Sequence, residues 1–207
     1  LARLLCGKLD NAQYIELSGA LTLDDYYMTD SHWRQERLQP VLDALGDKMS
    51  FAVSLSGSVK HSLEGFRGMN CRYDADKLPP ETLIYLTNEH IDGASIKSYE
   101  RPDELLGVYE TEKFEGFTGY DVFLSGPAAL LTLEAEQAET GRELVLFRDS
   151  FGSSLAPLLL GAYDRITLID LRYMSSELIP QLAPIAENAD VLFLLSTAVA
   201  NNSRLLK

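Results

Sequence analysis

The chain has 207 residues, a formal charge of −13 at pH 7 and a pI near 4.6, and 46% of its residues are hydrophobic. The length fits one domain or two small ones, and this hydrophobic share excludes a disordered chain. Lysine and arginine form no cluster in the sequence, so nucleic acid is not an expected partner. No apolar run reaches the roughly 18 residues of a membrane span.

The start of the chain is predicted to hold short structured segments followed by a polar loop. Residues 1–9 are typical of a helix end, and residues 13–17 are typical of a short strand. Residues 24–30 form a polar, tyrosine-rich loop. This loop leads into the motif Asp30-Ser31-His32-Trp33.

A helix is predicted directly after that motif. Its apolar residues fall on one face at helical spacing, namely Leu38, Val41, Leu42 and Leu45. Gly46 is the expected stop of this helix, and Pro40 predicts a kink or a restart inside the pattern.

The middle of the chain, residues 49–133, differs because its apolar residues alternate or form short runs between Gly, Pro and Asp. This pattern predicts antiparallel strands and long loops. The strands are expected at 51–55, 83–86, 120–124 and 130–133. We therefore expect a β-rich insertion at about 49–133.

The last third of the chain has a β-α-β-α-β rhythm. Strands are predicted at 144–147, 166–170 and 191–195, and helices at about 153–162 and 176–187. Strands rich in Val, Ile and Leu that alternate with helices indicate a parallel sheet covered on both faces. The expected fold class is α/β, with a parallel sheet flanked by helices in a single domain over 1–207.

The two cysteines, Cys6 and Cys71, leave two possibilities open. They form one disulfide, or they are two unpaired core residues. The spacing alone does not decide between them.

Ser150 is the most informative residue of the chain. A predicted strand ends just before it, a polar turn with glycine follows, and then a helix begins. This order exposes a hydroxyl at the edge of a sheet, beside the positive end of a helix. The alternative is a helix N-cap, in which the side chain of an Asp-Ser pair binds a free backbone N–H.

Asp30 and His32 are the residue types that a serine nucleophile needs. A serine hydroxyl requires a base within hydrogen-bond reach, and the base requires an orienting partner. Histidine suits the first role, and a carboxylate on its other ring nitrogen suits the second. The alternatives are an ordinary loop histidine, or a metal-dependent phosphoester hydrolase that uses Asp30, His32 and Asp149.

Together these segments resemble the DHHW proteins of bacteria, which are SGNH-like and related to the alginate O-acetyltransferases. The matching motifs occur in the family's order between about residues 11 and 200. They are Tyr26-Tyr27-Met28-Thr29-Asp30-Ser31-His32-Trp33, the segment 119–126, Leu146-Phe147-Arg148-Asp149-Ser150-Phe151 with Ala156-Pro157-Leu158, and Ile169-Asp170-Leu171-Arg172-Tyr173. Three positions depart from the family pattern: Ser31 replaces a His, Arg148 a Lys and Phe151 a Tyr.

The resemblance implies a role for each site residue. Ser150 is the expected nucleophile, His32 the general base and acid, and Asp30 the residue that orients His32. The backbone N–H of Ser150 would form part of an oxyanion hole. Ser196 is the candidate for the second donor, because it stands where SGNH enzymes usually carry an asparagine.

Two further residue assignments stay open. Asn201 and Asn202 follow the last predicted strand, but only after Ser196-Thr197. Arg172 is a candidate for binding an anionic substrate, and its alternative is a buried salt bridge to Asp170 or another acid.

The resemblance implies acyl transfer on a carbohydrate, without a metal or organic cofactor. The reaction would be hydrolysis of O-acetyl esters, or acetyl transfer to or from a cell-surface polysaccharide. The expected partners are an acetylated polysaccharide or acyl donor and a membrane-bound acetyl-export protein. The implied location is extracytoplasmic, in the cell envelope.

The sequence leaves three points open. The resemblance implies an N-terminal strand and helix ahead of residue 1, where an anchor would also lie. The oligomeric state is not determined. Because the second oxyanion donor is missing from its usual place, the alternative function is an inactive SGNH-like domain that binds glycan or a partner in a cell-envelope assembly.

Overall fold

The computed structural model of the protein describes residues 7–72, 78–104, 106–137 and 139–207. Its strands form one five-stranded sheet in the order β3-β4-β6-β5-β7 and one two-stranded sheet, β1-β2. The strands are β1 Val59–Phe66, β2 Glu81–Thr87, β3 Ser95–Ser98, β4 Leu130–Glu134, β5 Glu143–Arg148, β6 Arg165–Ile169 and β7 Asp190–Leu194.

The helices of the described chain are short. The α-helices are α1 Gln39–Met49, α2 Glu89–Asp92, α3 Phe151–Leu155, α4 Ile179–Leu182 and α5 Thr197–Ala200. Segments of 3₁₀-helix lie at Leu23–Asp25, Gln35–Arg37, Met69–Cys71, Thr111–Lys113, Gly119–Val122, Ala156–Gly161, Ser176–Leu178 and Ser203–Leu205. Over the described ranges, no helix combines the length and the apolar character needed to cross a bilayer.

Three parallel strands form the centre of the large sheet. β5 pairs in parallel with β6 on one side and with β7 on the other. Phe147 aligns with Ile169 and with Phe193, so the three strands end at the same carboxyl edge. The predicted α/β class and these three strands are confirmed.

The large sheet is mixed, because two strands from the middle of the chain join it. β4 pairs antiparallel with β6, and β3 pairs antiparallel with β4. Residues 95–98 and 130–134 therefore belong to the main sheet, although they lie in the segment predicted as an insertion. In the described chain, β1 and β2 alone form a separate sheet.

Side chains on one face of the large sheet form the main core. Residues from β4, β5 and β6 pack there against α1 and the 3₁₀-helix Ala156–Gly161. The opposite face has a smaller cluster around Val145, Phe147 and Ile169. This second face is only partly covered at β7, where Phe193 is 62% exposed.

Three predicted strands are wrong. Residues 13–17 and 51–55 lie in the described chain and form no strand. In the second case the side chain of Gln39 accepts from the N–H of Leu55 and donates to the carbonyl of Val53, in place of a neighbouring strand. Residues 120–124 begin as a 3₁₀-helix, and the chain then turns through positive φ angles at Leu124 and Ser125.

The helices predicted after Trp33, at 153–162 and at 176–187 lie where they were expected but differ in extent. The segment 153–162 is α-helical only as far as Leu155 and continues as a 3₁₀-helix, and α4 covers only part of 176–187. Pro40 lies in the first turn of α1, which agrees with the predicted restart. Residues 7–9 form no helix, and the rest of the helix end predicted at 1–9 lies outside the described residues.

Gly46 does not stop helix α1, which runs on to Met49 and is followed by Ser50 in a left-handed conformation. A side chain at Gly46 would collide with the carbonyl oxygen of Phe51. The glycine therefore permits a close approach of the chain that leaves the helix.

Candidate active site

Ser150 lies at the carboxyl edge of the large sheet, between the end of β5 and the start of α3. Its side chain makes no capping bond to the helix. Asp149 takes that role, because its Oδ1 accepts from the N–H of Phe151 at 3.1 Å. The N-cap alternative for the Ser150 hydroxyl is therefore wrong, and that hydroxyl is directed elsewhere.

The structure brings Ser150 and His32 together across 118 positions of sequence. His32 Nε2 lies 2.7 Å from Ser150 Oγ, and His32 Nδ1 lies 2.5 Å from Asp30 Oδ1. The three side chains form one continuous line of hydrogen bonds. Nδ1 carries the proton when it donates to the carboxylate, which leaves Nε2 able to accept from the serine hydroxyl.

A tight turn holds Asp30 and His32 on the same side of their loop. The N–H of Tyr27 donates to the carbonyl of His32 at 3.1 Å, and Tyr26 and Trp33 pair across the turn. Within the turn, the N–H of His32 donates to Asp30 Oδ1 at 3.0 Å. Asp30 thus binds both the backbone and the ring of His32.

Asp30 is ionised although it is only 3% exposed. Burial opposes the charge, but hydrogen bonds from His32 and from the N–H of Met69 outweigh it and hold the pKa of Asp30 below its ordinary value. Gly68 makes the close approach of Met69 possible. A side chain at Gly68 would collide with the side chain of Asp30.

The two-stranded sheet is hydrogen-bonded to the loop that carries Asp30 and His32. Glu81, the first residue of β2, accepts from both the N–H and the hydroxyl of Thr29 at 2.7 Å each. Its other oxygen pairs with Arg34 at 2.5 Å. The loop that carries Asp30 and His32 is therefore tied on both sides to a β-unit far along the chain.

Two aromatic residues pack against the His32 ring, and the sequence did not predict the nearer one, Tyr120. Tyr120 stacks on the ring, and Phe151 lies 4.9 Å away, centroid to centroid. The sequence pattern predicts a strand at Tyr120 and no role in the site. It holds no signal for this contact, because only the fold brings Tyr120 to His32.

Ser196 has one of its two donors engaged. Its N–H donates to Asp149 Oδ2 at 2.7 Å, and its hydroxyl accepts from the N–H of Val199 at the start of α5. Ser196 joins the ends of β5 and β7 and caps α5, and its hydroxyl proton remains able to donate. By contrast, the N–H of Ser150 donates to no acceptor among the described residues, and Asn201 and Asn202 are exposed.

Arg172 forms a salt bridge with Asp170, which is the alternative to binding an anionic substrate. Its Nε and Nη2 bind Asp170 at 2.9 and 2.6 Å, and Asp170 is fully buried. Arg148, 1% exposed, lies on the other side of Asp170 at 3.9 Å and donates to the Ser153 hydroxyl. Burial, the largest effect on Arg148, lowers its pKa, whereas the Asp170 bond raises the pKa of Arg172.

The other residues that the sequence suggested do not join the line of Asp30, His32 and Ser150. Both oxygens of Asp149 accept from backbone N–H groups, so it does not join Asp30 and His32. Across the described ranges, no three Asp, Glu, His or Cys residues are grouped to hold a metal ion. Cys71 is a buried free cysteine, and Cys6 lies outside the described residues.

Solved structures of other proteins share this fold. No family model and no curated protein matches the chain. A DHHW family protein from Eubacterium siraeum DSM 15702 aligns with a TM-score of 0.70 and 21% identity, over 87% of this chain and 62% of that one. PatB1 of Bacillus cereus, solved with a sulfonyl adduct, aligns with a TM-score of 0.65 and 17% identity, over 92% and 66%.

These alignments show that the chain shares the α/β fold of these proteins. A second PatB1 structure agrees, with a TM-score of 0.62 and 16% identity over 89% of this chain and 64% of that one. The resemblance that rests on the motifs is confirmed at the level of the fold. This chain spans less than two thirds of the length of the DHHW protein.

Proposed function

We propose that this protein is a serine acyl esterase or O-acetyltransferase that acts on O-acetyl groups of a cell-surface polysaccharide. The observation that carries the proposal is the 2.7 Å contact between His32 Nε2 and Ser150 Oγ, in line with Asp30. A base within hydrogen-bond reach, itself oriented by a carboxylate, is the arrangement that activates a serine hydroxyl.

In the first half of the reaction, Ser150 Oγ attacks the carbonyl carbon of the acetyl ester while His32 Nε2 takes the hydroxyl proton. Asp30 holds the other ring nitrogen and stabilises the imidazolium that forms. The tetrahedral intermediate collapses as the sugar oxygen leaves and takes the proton from His32. Ser150 is then acetylated and His32 is neutral again.

In the second half, water or another sugar hydroxyl attacks the acetyl-Ser150 carbonyl. His32 removes the proton of the attacking group and returns it to Ser150 Oγ, which restores the free enzyme. Water as acceptor gives an esterase, and a sugar hydroxyl gives a transferase. The chemistry calls for no cofactor, because every proton moves through His32.

The backbone N–H of Ser150 supplies one donor for the developing oxyanion. It lies at the first turn of α3 and donates to no acceptor within the described chain. A free N–H beside the attacked carbonyl stabilises negative charge as it forms. Since the N–H of Ser196 is already bonded to Asp149, the Ser196 hydroxyl is the candidate for the second donor.

The fold shared with PatB1 supports the proposal. A sulfonyl adduct, such as the one in the PatB1 structure, is what a sulfonylating reagent leaves on an activated nucleophile. Through the DHHW resemblance we further propose a cell-envelope location, an acetylated polysaccharide or acyl donor as substrate, and a membrane-bound acetyl-export protein as partner.

The test is covalent labelling of the purified protein with phenylmethylsulfonyl fluoride, followed by intact mass and peptide mapping. We expect one sulfonyl group on Ser150 and p-nitrophenyl acetate hydrolysis, both absent in Ser150→Ala. Ser56→Ala, which changes an exposed serine far from Ser150 in the sequence, is the matched control and should label like wild type. Hydrolysis at the wild-type rate by Ser150→Ala refutes the mechanism.

A second candidate function is glycan or partner binding without catalysis. The engaged N–H of Ser196 favours it, because the edge of the sheet then offers one fewer oxyanion donor. This candidate predicts binding of acetylated polysaccharide with no labelling of Ser150 by a fluorophosphonate. Labelling at Ser150 excludes it.

A further inference from the structure

Tyr120 lies flat against the ring of His32. The two ring centroids are 3.9 Å apart and the planes differ by 8°. Tyr120 belongs to the 3₁₀-helix Gly119–Val122, a segment remote in sequence from the His32 loop. The stacked face is therefore built by a segment that contains neither the nucleophile nor the base.

A buried hydrogen-bond network fixes the position of Tyr120. Its hydroxyl donates to Ser154 Oγ at 2.7 Å, and Trp33 Nε1 donates to the same oxygen at 2.8 Å. Ser154 lies on α3, the helix that follows Ser150, and Trp33 directly follows His32. One serine hydroxyl thus joins Tyr120 to both the helix after the nucleophile and the loop of the base.

Packing on the other sides leaves Tyr120 little room to move. Phe123 lies 4.8 Å and Tyr27 lies 6.4 Å from it, centroid to centroid. Burial raises the pKa of Tyr120 well above its ordinary value, so the phenol stays neutral. The ring presents an uncharged aromatic face to His32 at every working pH.

An aromatic face attracts a cation because its π-system is negative above the ring. In the proposed reaction His32 becomes an imidazolium each time it takes a proton. The stack is therefore stronger in the charged form of His32 than in the neutral form. It also resists rotation of the imidazole out of the line between Asp30 and Ser150.

Other charged groups near His32 act on the same equilibrium. Asp30 from its own loop is hydrogen-bonded to the ring. Asp121, next to Tyr120, interacts electrostatically with His32, with Asp30 and with Lys113, and burial raises its pKa. Phe151 and Ser150, from the sheet edge and α3, carry no charge. Any test must therefore change the Tyr120 ring and leave both carboxylates in place.

We propose that Tyr120 is a positioning residue that holds the plane of the His32 ring and stabilises its protonated form. Its catalytic meaning rests on the proposed function of Ser150 and His32. The effect on His32 itself does not, because ring stacking and protonation can be measured without turnover.

The activity-independent test is an NMR titration of the His32 ring in the Ser150→Ala background. We expect Tyr120→Leu to lower the His32 pKa by about half a unit to one unit, as the loss of a cation–π contact predicts. Tyr120→Phe is the matched control, because it keeps the aromatic face and removes only the hydroxyl, with its bonds to Ser154 and to the carbonyl of Trp33. It should titrate close to the parent protein.

A second variant keeps the proposal testable if Tyr120→Leu does not fold. Incorporation of pentafluorophenylalanine at position 120 keeps the shape of the ring and reverses the polarity of its face. It should lower the His32 pKa as leucine does. An unchanged His32 pKa in both variants overturns the proposal.

The kinetic arm uses the pH dependence of phenylmethylsulfonyl fluoride labelling with Ser150 present. Tyr120→Leu should slow labelling about 10-fold and move the midpoint of its pH profile downward, whereas Tyr120→Phe should do neither. Absence of labelling in every protein, together with the expected NMR shift, refutes the function of Ser150 and leaves the ring contact standing. Labelling in the wild type with an unshifted profile in Tyr120→Leu refutes the role of Tyr120.

Discussion

Two clusters of charged residues lie at the carboxyl edge of the same sheet, and they differ in the partner of the buried aspartate. Asp30 binds His32, whose second ring nitrogen faces the Ser150 hydroxyl. Asp170 is likewise buried, but it binds Arg172 with both oxygens. A histidine can connect a carboxylate to a third group, because its two ring nitrogens bind different partners and can each gain or lose a proton.

An arginine cannot relay a proton in this way. The guanidinium stays protonated and offers donors only, so Asp170 with Arg148 and Arg172 forms a charge cluster that cannot relay a proton. Whether a buried aspartate at this edge can act on a third group through a proton relay therefore depends on its partner. In both clusters an acidic residue is followed two positions later by a basic residue, which is histidine in one and arginine in the other.

The largest effect is expected when the histidine of the first cluster is replaced. His32→Gln keeps a donor for Asp30 but cannot accept the Ser150 proton, so we expect phenylmethylsulfonyl fluoride labelling of Ser150 to fall about 10³-fold. His90→Gln, which changes a histidine outside the site, should label at the wild-type rate. Equal rates for the two variants contradict the role of His32.

Removing the charge of the second acid should affect stability instead of labelling. Asp170→Asn leaves buried Arg148 without its counter-charge, and we expect the free energy of unfolding to fall by about 3 kcal/mol. Urea denaturation measures this loss, while the labelling rate of the folded protein should stay near that of wild type.

The control for that measurement is a partly exposed ion pair. Asp190 binds Arg142 at 2.7 Å near the start of β7, and Asp190→Asn should cost about 1 kcal/mol or less. A loss for Asp170→Asn that is no larger than the loss for Asp190→Asn shows that the charge cluster around Asp170 does not stabilise the fold.

The smallest expected effect is the pH dependence of stability that comes from Asp30. Because its pKa is lower in the folded protein than in the unfolded chain, the ionised carboxylate stabilises the fold above its ordinary pKa of about 3.9. That contribution is lost as the pH falls through the folded value.

This effect is measured as the difference in unfolding free energy between wild type and Asp30→Asn. The difference should be larger at pH 7 than at pH 3, because asparagine does not titrate. Urea denaturation at both pH values checks it. An equal difference at the two values means that the hydrogen bonds to Asp30 do not favour its charged form.

Much of the molecule was predictable because it depends on local pattern. The Val, Ile and Leu runs at 144–147, 166–170 and 191–195 are nearly continuous, and such runs are typical of strands buried on both faces. The Asp-x-His spacing and the serine after a strand were also recognisable, because these residue types are needed together for the chemistry.

The predictions failed where long-range contacts decide the outcome. Residues 51–55 alternate like a strand, yet their backbone is bound by the side chain of Gln39. Ser196 stands at the expected place for an oxyanion donor, but the distant Asp149 binds its N–H and leaves only its hydroxyl for that role. Neither competing group lies next to the residue that it captures.

The amino-acid sequence is enough to predict the parallel centre of the sheet, the α/β class and the residue types of the candidate site. Each follows from hydrophobic periodicity or from chemistry within a few positions. Tertiary packing alone brings His32 to Ser150, stacks Tyr120 on His32, and adds β3 and β4 to the main sheet. These contacts depend on how distant segments pack, and one-dimensional periodicity carries no information about packing between them.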